Sequence, residues 1–346
     1  MLKLFSLSSA PPLSYSTSRF LHTANQQNSY TISNTSYSIS AFIIYSCIMP
    51  ANAPTQNPTK RTPPSVHPLK RYPQAKKIYS RPGGRNPCEL WDLGNGKLYK
   101  FLAHKRGVYE SDIHALIQSS TSIPVPTIYR EWVSAGDNGA RVHHIIMQKI
   151  DGEPLYKVWG RLRSSEKERL VRQLSDYMHQ LRGVTSSSIR SVTGGPLYDE
   201  HGFFFKERNA SHGPFSDDES LWRELTSHLR QKRSRTMQKA LAQLRSMMPH
   251  SLPAVLTHAD LHQGNILVRN GSIAAIIDWE GAGFFPRWAE YVLYYPRDNS
   301  RAYEFDNAVM RRMKPYPVAR KFKLLLDALG SSDLRIVEFA LKELKC

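Results

Sequence analysis

A short polar and acidic segment set between apolar runs constrains the C-terminal half of this chain more than any other feature. Asp260 and Asn265 lie five residues apart within 256–268, and Asp278 follows a second apolar run at 273–277. If the two apolar runs pair as a short hairpin, Asp278 comes to lie beside Asn265. Carboxylate and amide oxygens in this arrangement suit Mg²⁺ held between phosphates, with Asp260 facing a hydroxyl. The joint pattern therefore predicts phosphoryl transfer.

The motif resembles the catalytic loop of aminoglycoside phosphotransferase and choline kinase-like enzymes. In that family H-G-D-x-x-x-x-N is followed by I-D-W/F-E/D, and this chain has HADLHQGN and IIDWE. Ala259 stands where the family usually has glycine. The likeness extends over roughly residues 88–344 and looks closest to the fungal branch. Further similar fragments are SIPVPTIY (122–129), IIMQKIDGE (145–153), GGP (194–196) and GPFS (213–216).

This resemblance implies a fold, two cofactors and a set of roles. The fold is α+β and protein-kinase-like, with a small β-rich N-lobe and a larger, mainly helical C-lobe. The cofactors are ATP and Mg²⁺, and the acceptor is a hydroxyl group of a small molecule. Asp260 would orient, or deprotonate, that hydroxyl, while Asn265 and Asp278 would hold the metal. His258 is expected to brace the loop through hydrogen bonds.

The order of predicted elements from residue 88 onward is that of a kinase small lobe. A β-hairpin is predicted at 88–101 with its turn at 94–96, followed by a helix at 108–117. Two further strands are predicted at 127–133 and 143–150.

Lys100 and Glu110 occupy the positions in this order where an ATP-phosphate lysine and its partner glutamate belong. Lys100 falls on the second strand of the hairpin and Glu110 lies early in the following helix. Lys97 is a rival for the lysine and Asp112 for the acid, because exposed lysine and acidic residues are common in both elements.

Two further cofactor contacts are predicted from position alone. Met147 and Lys149 lie in the connection between the lobes, where backbone groups would meet the edge of an adenine. No G-x-G-x-x-G precedes Lys100. The only basic, glycine-containing segment upstream is 81–85, which is consistent with a phosphate-covering loop and with a solvated linker.

The predicted C-lobe is mainly helical. An apolar stripe at helical spacing begins at Leu170, with Ser165 and Glu168 read as a capping box at the start of that helix. The region 183–216, rich in serine, glycine and aromatic residues, is expected to line the acceptor site. Further helices are predicted at 221–229, 237–247, 318–329 and 334–344, with an ordinary helix start at 217–219.

The positive charge of the chain lies mostly at its N-terminal end. The net charge is +18, and the first 88 residues contain ten Lys or Arg and no Asp or Glu. We expect 1–77 to be a disordered tail, 78–152 the small lobe and 153–346 the helical lobe. The tail is compatible with a mitochondrial targeting segment, with a disordered extension, and with a true start at Met49.

Cysteine usage and hydropathy limit the cellular compartment that we expect for this protein. The three cysteines, Cys47, Cys88 and Cys346, form neither a disulfide framework nor a metal set, which favours a reducing, cytoplasmic compartment. No apolar run approaches the length of a membrane helix. We find no nucleic-acid-binding motif, and the oligomeric state does not follow from the sequence.

Two other functions compete with a small-molecule kinase. A pseudokinase that binds nucleotide without turnover would explain Ala259 and the absent glycine-rich loop, but Asp260, Asn265 and Asp278 are all retained. A protein kinase is disfavoured because the D-F-G and A-P-E signatures are absent.

Overall fold

The computed structural model describes residues 60–81, 88–103, 108–135, 141–199, 202–207, 210–231, 234–294 and 300–346. Two parts follow one another along the chain. Residues 60–152, which we call the small lobe, form an antiparallel sheet with one long helix. Residues 153–346, the large lobe, are mainly helical. This is the two-lobed α+β architecture expected from the sequence.

The small lobe is built on a five-stranded antiparallel sheet. Its strands are β1 (Lys76–Arg81), β2 (Cys88–Gly94), β3 (Lys97–Ala103), β4 (Ile128–Ala135) and β5 (Arg141–Gln148), in the order β1-β2-β3-β5-β4. A short helix, α1 (Pro68–Arg71), precedes the sheet, and α2 (Glu110–Ser120) joins β3 to β4.

The predicted hairpin is confirmed as β2 and β3. Its turn at Gly94, Asn95 and Gly96 has positive φ angles of 75°, 50° and 69°, a conformation that glycine and asparagine adopt readily. The tight turn fixes the strand register, which pairs Lys100 with Leu90 and, on the other side, with Ile145.

The two faces of the sheet carry different apolar clusters because side chains alternate along each strand. One cluster contains Leu93, Tyr99 and Trp132. The other, which we call the cleft-face cluster, contains Leu102, Ile128, Ile145 and Met147, with Cys88 and Leu98 packed against it. Lys100 lies between Leu98 and Leu102 on β3, so its side chain emerges on the same face as the cleft-face cluster.

The small lobe begins earlier than the predicted residue 78. Glu131 donates its backbone N–H to the carbonyl oxygen of Lys60 (3.0 Å), and Arg61 forms an ion pair with Asp112 (2.6 Å). Leu69, Tyr72 and Ala75 pack against the cluster of Leu93, Tyr99 and Trp132. The prediction of a disordered tail is therefore wrong for residues 60–77, whose few apolar side chains cover one face of the sheet. Residues 1–59 lie outside the described part of the chain.

The large lobe surrounds one extended apolar core. Its helices are α3 (Leu155–Val158), α4 (Ser164–Gly183), α5 (Asp218–Leu225), α6 (Ser227–Arg230), α7 (Arg235–Ser246), α8 (Ala289–Leu293), α9 (Ser300–Met310), α10 (Pro317–Leu329) and α11 (Leu334–Glu343). Its short strands are β6 (Glu153–Pro154), β7 (Thr185–Ser186), β8 (Leu197–Tyr198), β9 (Ser211–His212), β10 (Ala254–Thr257), β11 (Ile266–Arg269), β12 (Ser272–Ile276) and β13 (Gly283–Phe285). Within the described residues, no helix has both the length and the hydropathy to span a bilayer.

Helix α4 differs from its prediction at one end. Its apolar stripe is buried, as expected, with Leu170 and Leu174 each 1% exposed. The predicted capping box of Ser165 and Glu168 is wrong, because the helix already begins at Ser164. The carboxylate of Glu166 instead accepts a hydrogen bond from the backbone N–H of Arg163 (2.9 Å).

The hairpin of β11 and β12 sets the geometry of the C-terminal motif. It turns at Asn270 and Gly271, both at positive φ, and its register places Ile266 opposite Ile276. The backbone N–H of Ile277 donates to the carbonyl oxygen of Asn265 (2.9 Å). Asp278 therefore follows a residue paired with Asn265, as the sequence predicts.

Candidate active site

Lys100 is the centre of an ionic cluster that joins the two lobes. Its Nζ lies 2.8 Å from Oδ1 of Asp278 and 3.4 Å from Oε2 of Glu280, both in the large lobe. Oε2 of Glu110, on α2, lies 3.8 Å away. Of the candidates, Lys100 and Glu110 therefore lie in this cluster, whereas Asp112 pairs with Arg61. Their role in binding ATP phosphates stays a prediction.

The charges of this cluster depend on one another because its members are partly removed from water. Burial alone would lower the pKa of Lys100, but the negative charges of Asp278, Glu280 and Glu110 outweigh it and raise that pKa well above its usual value. Burial would raise the pKa of Glu110, yet the charge of Lys100 and a hydrogen bond from His114 hold it well below its usual range. The charged form of each residue therefore favours the charged form of the other.

Glu131 holds the N-terminus of α2 from the neighbouring sheet, and sequence reasoning missed it. This fully buried carboxylate on β4 accepts hydrogen bonds from the backbone N–H groups of Glu110 (2.7 Å) and Ser111 (2.9 Å). His143 Nε2 lies 2.7 Å from its Oε1. An anion at a helix N-terminus satisfies otherwise unpaired donors, so Glu131 fixes the position from which Glu110 faces Lys100. Its only sequence signal is an acidic residue inside a strand that is mostly apolar.

The loop after β10 presents Asp260 on a rigid backbone. Asn265 donates from Nδ2 to the carbonyl oxygen of Asp260 (2.9 Å) and approaches its Oδ2 (3.4 Å). His258 Nδ1 accepts from the backbone N–H of Asp260 (3.3 Å), and its Nε2 lies 3.1 Å from the carbonyl oxygen of Ile277. Burial lowers the pKa of His258 to about 4. A neutral imidazole that accepts at one nitrogen and donates at the other braces the loop, as predicted.

Ala259 and Glu290 complete the support of this loop. Ala259 adopts a positive φ of 68°, a conformation that glycine enters without strain and alanine does not. This accounts for the glycine that the resembling family usually has there. Glu290, on α8, accepts a hydrogen bond from the backbone N–H of His258 (2.9 Å) and another from that of Ala259. Burial raises the pKa of Glu290 to about 7.

A cleft opens beside Asp260 and has charged and aromatic residues in its lining. Asp260, Asp278 and Glu280 line it. The region that the sequence predicts to line the acceptor site contributes Tyr198, Asp199, Phe203 and Phe204, and Phe285 and Leu293 also line the cleft. Asp260 thus shares a cleft with two members of the ionic cluster.

The donor atoms beside the cleft fit Mg²⁺. Asp278 and Glu280 offer carboxylate oxygens, and Asn265 offers an amide oxygen, all hard ligands of the kind that magnesium prefers. Asp278 is itself held at a positive φ of 65° by the chain that surrounds it. Within the described ranges, no three His, Cys, Asp or Glu side chains form a preorganised metal site. Magnesium in kinases takes one or two protein ligands and completes its shell with phosphates and water.

Met147 and Lys149 stand apart from the ionic cluster. Met147 is buried in the cleft-face cluster. The backbone N–H of Lys149 donates to the carbonyl oxygen of Gly96 (2.8 Å), and its Nζ donates to Asp92 (2.6 Å). Their contact with an adenine stays a prediction. The basic segment 81–85 lies largely outside the described residues.

A lysine fixed by a helix glutamate, an Asp-x4-Asn loop and a strand-end aspartate together define a kinase, a phosphotransferase with an alcohol group as acceptor. A sequence model of the phosphotransferase enzyme family (APH) matches residues 109–314. The match covers more than half of the chain, and the protein belongs to this family. The matched residues include Glu110, Asp260, Asn265 and Asp278.

Solved structures similar to this chain include aminoglycoside phosphotransferases. A thermostable mutant of APH(4)-Ia in its apo form is 14% identical, with a TM-score of 0.49, over 80% of this chain and 95% of that one. The streptomycin–ATP complex of APH(2″)-IIa is 16% identical, with a TM-score of 0.48, over 80% and 93% of the two chains. ADP-bound APH(2″)-Ib is 16% identical, with a TM-score of 0.46, over 78% and 91%. A comparison with curated protein sequences finds no match.

Proposed function

We propose that this protein transfers the γ-phosphoryl group of ATP, with Mg²⁺, to a hydroxyl group of a small molecule. The observation that carries the proposal is the contact of Lys100 with Asp278, at 2.8 Å, beside Asp260. It joins the phosphate-binding lysine of one lobe to the metal-binding carboxylate of the other, which is the arrangement that phosphoryl transfer requires.

The small lobe offers a place for the adenine of ATP. The cleft-face cluster supplies an apolar surface on the same face of the sheet as Lys100. An adenine ring packed on Leu98, Leu102 and Met147 would direct its phosphates toward Nζ of Lys100. The lysine would neutralise phosphate oxygens, and Glu110 would hold its side chain in place.

Magnesium would be held by Asp278 and Asn265, with Glu280 as a further carboxylate beside them. When bound, the ion neutralises charge on the phosphate oxygens. Lys100 contacts three carboxylates, those of Glu110, Asp278 and Glu280. Carboxylate oxygens gathered in this way are the ligands that a hard divalent cation prefers.

Asp260 would act on the acceptor. Its carboxylate would accept a hydrogen bond from the acceptor hydroxyl and orient the oxygen toward the γ-phosphorus. A P–O bond to the acceptor oxygen forms as the bond to the β-phosphate oxygen breaks. The hydroxyl proton passes to Asp260 and from there to solvent, and ADP and the phosphorylated acceptor are released.

A pseudokinase remains the second candidate, because Ala259 adopts a strained conformation in the catalytic loop. A pseudokinase would bind MgATP but would form no phosphorylated product in any acceptor screen. The retained carboxylates and amide favour turnover, since a binding module needs no base beside the cleft.

The decisive experiment is a screen of hydroxylated small molecules for ADP release, comparing the full chain with Asp260→Asn. We expect turnover to fall on the order of 10²-fold or more, because the variant loses the orienting carboxylate. MgATP affinity, measured by calorimetry, should change little. Asp112→Asn, an exposed acid paired with Arg61, is the matched control. Equal turnover of Asp260→Asn and the parent would refute the role of Asp260.

A further inference from the structure

The acidic side chains of the cleft are already engaged by the protein. Asp199 accepts hydrogen bonds from three successive backbone N–H groups, those of Phe203 (3.1 Å), Phe204 (2.6 Å) and Phe205 (2.8 Å). Asp278 and Glu280 surround Lys100. Under the proposed function, their remaining charge is matched by Mg²⁺. The negative charge in the described lining is therefore committed to the loop, the lysine and the metal.

Asp260 also has positively polarised neighbours of its own. Nδ2 of Asn265 lies 3.4 Å from its Oδ2, and Nε2 of His262 lies 3.7 Å from the same oxygen. A polycationic acceptor would need several carboxylates to replace the water around its ammonium groups. The described lining offers no such set beyond the four acids already considered.

Four aromatic side chains also line the cleft, and we call them the aromatic wall: Tyr198, Phe203, Phe204 and Phe285. Phe203 is 46% exposed although it is large and apolar, and it lines the cleft together with Tyr198. Solvent-accessible aromatic surface at the mouth of a site favours the binding of an apolar ligand. Phe204 and Phe285, beneath it, are buried and meet edge to face with ring centroids 5.6 Å apart.

The backbone that carries the aromatic wall is fixed by hydrogen bonds and by ring stacking. Asp199 fixes the backbone of Phe203 to Phe205 from one side. From the other side, the ring of Phe205 stacks on His212, with centroids 4.1 Å apart. His212 in turn pairs with Glu224 on α5 (2.5 Å). Preorganised apolar surface costs little conformational entropy when a ligand docks on it.

We propose that the acceptor is an uncharged alcohol carried on an apolar ring system. Its ring packs on Phe203 and Tyr198 while its hydroxyl reaches Asp260. Polycationic amino sugars are not acceptors, because the cleft acids they would need are occupied. This proposal deepens the proposed function and rests on it. The transfer is the one described above: the acceptor oxygen gains the γ-phosphoryl group, and its proton leaves to Asp260.

The test measures ADP release and phosphorylated product with five acceptors that differ in the size of their apolar ring and in their charge. These are 2-naphthaleneethanol, 2-phenylethanol, glycerol, choline and the polycation kanamycin. We expect kcat/KM to fall in the order naphthyl, phenyl, glycerol, with choline and kanamycin no better than glycerol. MgATP affinity is measured separately by calorimetry.

Variants of the aromatic wall test the contact itself. Phe203→Ala should lower kcat/KM for 2-naphthaleneethanol by about tenfold, mainly through KM, because a ring contact is lost while Asp260 is untouched. The kcat/KM of Phe203→Leu for the same acceptor should lie between the values for Phe203→Ala and the parent. Tyr129→Ala removes an aromatic of similar exposure (41%) on β4, outside the described lining, and should change nothing.

The results distinguish the acceptor proposal from the proposed phosphotransferase function. Preferred use of kanamycin or choline, or an unchanged KM in Phe203→Ala, overturns the acceptor proposal and leaves the phosphotransferase function standing. Binding of MgATP without consumption of any ring alcohol also overturns it. Failure to bind MgATP removes the proposed function, and the acceptor proposal falls with it.

Discussion

Lys100 and Asp278 lie 178 residues apart in the sequence, yet Nζ of one is 2.8 Å from Oδ1 of the other. Lys100 comes from the small-lobe sheet, and Asp278 follows the β11–β12 hairpin of the large lobe. Their contact places the groups that would bind phosphate and metal at one point between the lobes.

Replacement of Lys100 should disable the donor site. Lys100→Ala is expected to weaken MgATP binding and lower turnover by on the order of 10²-fold, because phosphate charge loses its fixed counter-charge. Lys97→Ala is the matched control on the same strand, since Nζ of Lys97 lies over the ring of Tyr129, 5.4 Å from its centroid. Calorimetry and ADP release compare the two. A larger loss in Lys97→Ala would reverse the assignment of the lysine.

Glu290 should make stability depend on pH. Its folded-state pKa is about 7, above the ordinary value of 4.5. A raised acid pKa means that the folded state holds its proton more tightly than the unfolded chain. The contribution of Glu290 to the free energy of unfolding is thus complete below pH 4.5, and it is lost as pH rises through about 7. Glu290→Gln keeps a hydrogen-bond acceptor without the charge and should remove this dependence.

Urea unfolding of the parent and Glu290→Gln at several pH values measures that difference. Between pH 4.5 and about pH 7, the parent should lose roughly 2–3 kcal/mol of unfolding free energy relative to the variant. Groups common to both proteins cancel in the comparison. Parallel pH profiles would show that Glu290 is ionised at no cost in the folded protein.

Ala259 should tolerate the glycine that the family usually carries. At a φ of 68°, Ala259→Gly relieves backbone strain but adds freedom to the unfolded chain, so stability should rise by at most about 1 kcal/mol. Ala282→Gly, at a φ of −71°, has no strain to relieve and should cost about 1 kcal/mol. Thermal unfolding distinguishes the two. Equal losses in both variants would mean that the positive φ carries no strain.

Much of the candidate site followed from local sequence. Asn265 and Asp278 are brought together by a hairpin whose strands and turn are adjacent in the chain, so the motif alone predicted their proximity. The positions of Lys100 and Glu110 followed from the order of elements. Glu131 and Glu290 were missed because their partners are backbone amides on other elements. Backbone amides occur along the whole chain, so the sequence does not indicate which of them a buried carboxylate binds.

The start of the small lobe was also missed, for a related reason. Residues 60–77 carry few apolar side chains at no regular spacing, which is typical of a chain that does not fold by itself. Leu69, Tyr72 and Ala75 gain their burial from a cluster formed by β2, β3 and β4. The prediction that the small lobe begins at residue 78 was therefore wrong, because the burial of residues 60–77 depends on contacts with distant parts of the chain.

Deletion of residues 60–77 should destabilise the protein. A chain that begins at residue 78 loses Leu69 and Tyr72 from the sheet face, the ion pair of Arg61 with Asp112, and part of β1. We expect its melting temperature to lie about 5 °C or more below that of a chain beginning at residue 60. Differential scanning calorimetry compares the two. Equal melting temperatures would show that this segment adds nothing to the lobe.

The most direct measurement of the central claim is calorimetric titration of MgATP into the full chain and into Asp278→Ala. Asp278 supplies the carboxylate that contacts Lys100 and would hold Mg²⁺, so its loss should abolish Mg²⁺-dependent binding. Asp112→Ala serves as the control, and circular dichroism checks that each variant is folded. We predict binding to the parent that requires Mg²⁺, the same binding to Asp112→Ala, and none to Asp278→Ala. Unchanged affinity in Asp278→Ala, or no binding of MgATP to the parent, would contradict the account.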